Sequence, residues 1–232
     1  EARGRATCVD AVSASRESLS GLRALAELAG VWRDGEGADA ALREVVSRYP
    51  GEYWACEALR VSYTAKNDLD KLWGLYETWA PRVRDDRALQ QTWITLGALL
   101  NRSEAAQWKR AEEMLREEGA GASRETIVAV IGARWRAGRL ADAEAALKLL
   151  PKAARAEPRI LFWEAVLAAS RNDSSRMDEV MQGLSLEALP REERQVLAGV
   201  VADANRRKRS VERAAAKEAE QASGAIDVPV EA

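Results

Sequence analysis

The sequence predicts an all-α solenoid of about five helix-turn-helix repeats, closed by a C-terminal capping helix pair. Three observations carry this. Leu25, Leu59, Trp93, Val128, Trp163 and Leu197 recur at intervals of 34, 34, 35, 35 and 34 residues, and all six are large and apolar. A fixed period of this length marks a repeated supersecondary unit that buries its apolar face against its neighbours. A turn signal returns at one phase of the period. The composition is rich in Ala, Glu, Arg and Leu, with only six prolines in 232 residues. These are strong helix formers, and β-branched runs bounded by turn residues are scarce.

Each repeat opens with an amphipathic helix of about 13 to 16 residues. Three positions after the column come Leu28, Ser62, Leu96, Ile131, Val166 and Val200; one further on stand Ala29, Tyr63, Gly97, Gly132, Leu167 and Val201. Seven after it lie Trp32, Lys66, Leu100, Trp135, Ser170 and Ala204. Offsets of 0, 3, 4 and 7 form one face of an α-helix. Ser62 and Lys66 are polar exceptions on that face.

Turns follow at Asp34-Gly35, Asn67-Asp68, Asn101-Arg102, Ala137-Gly138, Asn172-Asp173 and Asn205-Arg206. Gly and Asn tolerate the left-handed conformation that ends helices. Asp39, Asp68, Ser103 and Ser174 offer side-chain oxygens to cap the next helix. Second helices are expected over residues 40–49, 69–79, 104–117, 140–150 and 175–184. Pro50, Pro81, Pro151, Pro158 and Pro190 fall between repeats, where a helix stops or starts.

The runs Trp93-x2-Leu96-Gly97-x2-Leu100, Leu25-x2-Leu28-Ala29-x2-Trp32 and Val128-x2-Ile131-Gly132-x2-Trp135 resemble the first helix of the tetratricopeptide repeat (TPR) family. The stretch from Arg136 to Leu147 is similar to that family's turn and second helix, and Ala41 and Pro50 fit its pattern. The resemblance covers about residues 15 to 205 and implies a right-handed superhelix. Tyr63, Leu167 and Val201 occupy the position where the family has a small residue, so wider helix separation is expected there.

The ends read differently. Residues 1–13 fit the second helix of a preceding repeat, whose loss would leave an apolar N-terminal face open to self-association; a polar cap is the alternative. The repeat array spans 14–189. Residues 190–222, including the run Arg206-Arg207-Lys208-Arg209, are helical by propensity, poor in large apolar residues and suited to a solvating cap. Residues 223–232, with Gly224 and Pro229, read as a disordered tail.

Composition narrows the function. No window approaches the length of uninterrupted apolar sequence needed for a membrane span. The net charge of −2, with both signs interspersed, argues against nucleic acid as the partner. With no histidine, the usual general base, triad member and neutral metal ligand is missing, so neither catalysis nor a cofactor is expected. Cys8 and Cys56 read as isolated thiols, with a bridge as the alternative in an oxidising compartment. The opening Glu1-Ala2-Arg3 fits a cytoplasmic protein as well as a periplasmic or secreted product stripped of its signal.

The resulting expectation is a non-enzymatic module that binds a peptide or helix of another protein. A structural segment of a longer repeat scaffold is the alternative. In the resembled family the first helices line a concave groove. Carried over, the groove takes Arg23, Glu57, Gln91, Thr126, Leu161 and Gln195 two positions before the column. One position after it stand Ala26, Arg60, Ile94, Ala129, Glu164 and Ala198. Arg23, Glu57, Arg60, Gln91, Ile94 and Glu164 are the candidate partner-binding residues, joined by Arg136 from a polar column of Arg33, Asn67, Asn101, Arg136, Arg171 and Asn205. That column also fits helix C-terminal capping. Gly30, Thr64, Ala98, Ala133, Ala168 and Ala202 would leave a shallow floor. The family's clamp for chaperone carboxyl-terminal tails is not reproduced. Most of the eight tryptophans read as core, whereas Trp54 and Trp73 are candidates for exposed aromatic anchors.

Overall fold

The computed structural model describes residues 18–31, 34–49 and 51–224. Helix takes up 83% of them and no strand occurs among them. Eleven α-helices follow in order: α1 Leu19–Val31, α2 Gly35–Arg48, α3 Tyr53–Ala65, α4 Leu69–Trp79, α5 Arg87–Leu99, α6 Ala105–Glu118, α7 Arg124–Arg136, α8 Leu140–Leu147, α9 Pro158–Ser170, α10 Ser174–Gly183 and α11 Arg191–Gly224. Trp32, Arg33, Pro50, Cys8, residues 1–13 and most of the expected tail lie outside the described residues.

The first helices α1, α3, α5, α7 and α9 are each 13 residues long. Their column residues Leu59, Trp93, Val128 and Trp163 are buried, as is Leu197 in α11; Leu25 is half-buried. Four turns stand at the expected phase, each with a left-handed residue: Asn67 (φ 50°), Asn101 (57°), Gly138 (73°) and Asn172 (60°). That backbone region is open to Gly at no steric cost and to Asn more readily than to other residues.

Second helices match the expected spans with shifts that their caps explain. The α4 span is as expected, and Asp68 caps it by accepting the Lys71 N–H at 3.1 Å. In contrast α2 starts five residues early, because Asp34, not Asp39, accepts the Gly37 N–H at 3.0 Å. Asp39 is instead buried inside α2, taking bonds from the Ser62 hydroxyl (2.9 Å) and the Lys66 ammonium (2.7 Å). The two polar exceptions on the α3 face are thereby partners of one buried carboxylate. Ser103 and Ser174 do not cap: Gln107 reaches back to the Glu104 N–H at 2.7 Å, and Asp173 accepts from Arg176 N at 3.0 Å. Before Pro151 the end of α8 tightens, with Leu149 N bonding Ala146 O and Leu150 N bonding Leu147 O, so the helix stops three residues short of its expected end.

One expected turn is missing. Asn205 lies inside α11, so residues 191–224 form a single helix of 34 residues and not a capping pair. Beyond Asn205 the described side chains offer one large apolar residue, Val211. A second helix folded back there would bury little, and nothing would offset the cost of breaking helix at Arg206-Arg207-Lys208.

The chain divides into two compact units, Glu1–Trp93 and Ile94–Ala232. In the N-terminal unit α1 packs on α2, α2 on α3, and α3 on α4. Each first helix here buries a single stripe, as α3 does with Ala55, Cys56, Leu59 and Tyr63. In the C-terminal unit α7 contacts α6, α8 and α9, while α9 contacts α7, α8, α10 and α11. Accordingly, α7 is buried without a break from Thr126 to Ala133, and α9 from Phe162 to Ala169. Gly132 marks the tightest approach: a Cβ there would stand 3.0 Å from Ala98 Cβ and 3.1 Å from Trp163 Cη2.

Candidate partner-binding surface

The N-terminal unit carries an open face on its first helices. Residues 53, 57, 60, 61 and 64 of α3 lie opposite its buried stripe, at helical spacing. Tyr53 is 44% exposed and Val61 54%. Beside them Arg23 of α1 places its guanidinium 5.2 Å from the ring centre of Trp54, a cation–π contact. Trp54 is half-buried and donates its indole N–H to Glu52 at 2.8 Å. Thus one apolar plate, Trp54, is clamped between two charged groups.

Neighbouring groups are fixed in the same way. Arg60 Nε donates to Glu57 at 2.8 Å, and that guanidinium holds the Glu57 carboxyl below the usual carboxylate range. Arg23 bonds Glu27 at 3.1 Å. The Tyr53 hydroxyl donates to Asp86, and this bond pushes the phenol up to about 12. Asp86 also accepts the Leu89 N–H at 3.0 Å, which ties Tyr53 to the start of α5. The Tyr53 ring meets Trp79 edge-on at 5.0 Å. Gln91 is half-exposed.

Arg23 and Glu57 are exposed, and Trp54 and Arg60 half-buried. Tyr53 and Val61 were not singled out from the sequence. The available signal was Val61 two places after the column, an apolar residue on the otherwise polar side of α3.

Other expected positions are corrected. Trp73 is buried in α4, because its helix turns residues 72, 73, 75, 76 and 79 inward together. Ile94 has no exposed surface, so it presents nothing to a partner. Glu164 is buried in α9 and paired with Arg176 at 2.9 Å. Thr126 and Ala129 are buried too, since α7 has helices packed around it. Ala98, Ala133 and Ala168 form no open floor. They are buried, and Ala98 is among the atoms nearest Gly132. Trp108 in α6, 37% exposed, sits 5.3 Å from the Arg139 guanidinium, and Trp135 in α7 is half-buried.

Arg136 performs a structural task. Its Nε donates to the Ala98 carbonyl and its Nη2 approaches Leu99 O at 3.4 Å, while the guanidinium lies 4.0 Å from the Trp135 ring centre. It thereby adds a charged donor to the carbonyls at the C-terminus of α5, where Ala98 O otherwise accepts only a long bond of 3.4 Å from the Asn101 N–H. Arg207 repeats the arrangement on α9, donating to Ala169 O at 3.2 Å and Asn172 Oδ1 at 3.0 Å. Both bonds span 38 residues. Within the basic run Arg206 pairs with Asp203. Helix capping, the plainer of the two readings of the polar column, accounts for Asn67, Asn101 and Arg136.

Cys56 is a free, buried thiol, pushed up to about 11 by burial. Among the described residues no group of three or more His, Cys, Asp and Glu could hold a metal ion, and no helix is long and apolar enough to cross a membrane. Comparison with family models, with curated proteins and with solved structures gives no match for this chain.

Proposed function

We propose that this chain is a non-enzymatic protein-interaction module, a right-handed solenoid of TPR-like hairpins that presents the outward face of α1 and α3 to a peptide or helix of another protein. The observation that carries the reading is the cluster of Arg23, Tyr53, Trp54, Arg60 and Val61. Trp, Tyr and Arg dominate interface hot spots, and here each is held in place by a named partner before anything binds. Repeat stacking within the C-terminal unit, α7 on α9 and α9 on α11, supports the solenoid.

A photoreactive residue at Val61 tests this. Irradiation in cells of the source organism is expected to give protein adducts that survive nuclease and disappear with Trp54→Ala. The same label at exposed Leu186 serves as the control. Equal labelling at both positions, or adducts removed by nuclease, would refute the assignment.

A further inference from the structure

Tyr63 occupies the position where Ala29, Gly97 and Gly132 stand in other repeats, and wider helix separation is expected beside it. There α2, α3 and α4 leave a half-open crevice of about 370 Å³. Val46, Leu59, Leu75 and Tyr63 make it apolar inside. The α4 wall consists of Lys71, Gly74, Leu75 and Thr78, one face of the helix.

Gly74 stands at the middle of that wall. Its φ is not positive, and a Cβ built on it would meet nothing within 4 Å. Neither backbone conformation nor close packing asks for glycine, although glycine weakens a helix interior. Its missing side chain keeps the crevice open.

The charge around the opening has one sign. Arg43, Lys71 and Arg82 line it, and no carboxylate does. Lys71 pairs with Asp68 at 3.0 Å and lies 5.8 Å from the Tyr63 ring centre. Arg43 spends its Nε on the Asp39 carbonyl at 3.2 Å. Asp39 itself is taken by Ser62 and Lys66, and Asp68 by the cap of α4. Tyr63 is 2% exposed.

We propose that this crevice docks an acidic segment of a partner protein, which seats one large apolar side chain over Gly74 and sets its carboxylates against Arg43, Lys71 and Arg82. The assignment rests on the reading of the chain as a protein-binding module and adds a second site to it. Val46, Leu59 and Leu75 suit a Leu, Ile or Phe side chain, and the lining's aromatic ring, Tyr63, is 2% exposed and offers little of the stacking platform that unpaired bases use.

The test is selection of a displayed library of random 12-residue peptides on the full chain, followed by measured affinities for three forms. Selected peptides are expected to combine Asp or Glu with a large apolar residue. Gly74→Leu, which fills the crevice with a helix former, should keep the circular dichroism spectrum and weaken binding about tenfold or more. Arg43→Glu/Lys71→Glu should weaken it similarly, and wild-type binding should fall with salt. Peptides that bind Gly74→Leu undiminished would overturn the crevice and leave the protein-binding reading standing. Peptides of basic composition would overturn the charge argument. No enrichment on any form would count against both.

Discussion

Replacing Gly132 by Ala should destabilise the C-terminal unit, although the same change is normally favourable in a helix interior. The added methyl would sit 3.0 Å from Ala98 Cβ, 3.1 Å from Trp163 Cη2 and 3.2 Å from Trp163 Cζ2. Trp163 cannot give way cheaply. It is fully buried, with Trp135 edge-on at 5.7 Å and Phe162 at 4.9 Å. Overpacking of a filled core costs about 1–3 kcal/mol. The helix-propensity gain from Gly to Ala offsets about 1 kcal/mol of that. A net loss of about 1 kcal/mol is expected, read as a lower urea midpoint at unchanged slope by circular dichroism. Gly74→Ala is the internal control, because that methyl enters open space. It should raise stability by about 0.5–1 kcal/mol. In a Trp163→Phe background, where the outer indole ring is gone, the Gly132→Ala penalty should shrink. A Gly132→Ala chain as stable as wild type would refute the close-approach argument.

Two further substitutions probe buried polar groups. Glu193 is 1% exposed, with Arg159 donating to Oε1 at 3.2 Å and Oε2 without a partner. Burial raises its carboxyl above the ordinary 4.5, Arg159 opposing and Glu192 adding to the rise. A carboxyl raised by folding stabilises below its unfolded value and loses that contribution as pH climbs through the folded one. Glu193→Gln should therefore raise the melting temperature at pH 7 and flatten its decline between pH 4.5 and neutrality; an unchanged profile would contradict this. Arg136→Met keeps an aliphatic stem near Trp135 but removes the donors to Ala98 and Leu99, at a cost of about 1–3 kcal/mol. Hydrogen exchange should quicken at the Leu100 and Arg102 amides, which close the end of α5 on Leu96 O and Gly97 O. Unchanged protection there would mean that the cap is idle.

The periodicity made the helices legible because burial in a repeat is set locally: each first helix reads its face from offsets 0, 3, 4 and 7. The turns were legible for a second local reason, since Asn67, Asn101, Gly138 and Asn172 each take a left-handed conformation that few residues accept. Sequence reasoning failed where the answer lay on another helix. Asp39 looked like a cap and is the partner of Ser62 and Lys66, 23 and 27 residues away. Ile94 and Glu164 were placed on the groove by the resemblance, and both are buried. How many helices surround α7 and α9 is not written in either helix. Glu57 and Arg60 reach the surface because α3 buries one stripe only.

The departures from the repeat divide by their physical consequence. Ser62 and Lys66 break the apolar face and are compensated at once by a buried carboxylate, so they are structural. Asn205 keeps the turn residue and loses the turn, because no apolar second helix follows to be buried. Tyr63 and Gly74 are different. A large residue replaces a small one, a glycine stands mid-helix with no contact that needs it, and the two lie on facing walls of one cationic crevice. Packing alone would favour filling that space with an alanine or leucine at position 74, which would stabilise α4 as well. Gly30 and Gly199 also stand in helices with open space beside them, and what sets Gly74 apart is the cationic crevice that it faces. The crevice walled by α2, α3 and α4 therefore stands beside the half-buried Trp54 of α3 as a second candidate for partner contact.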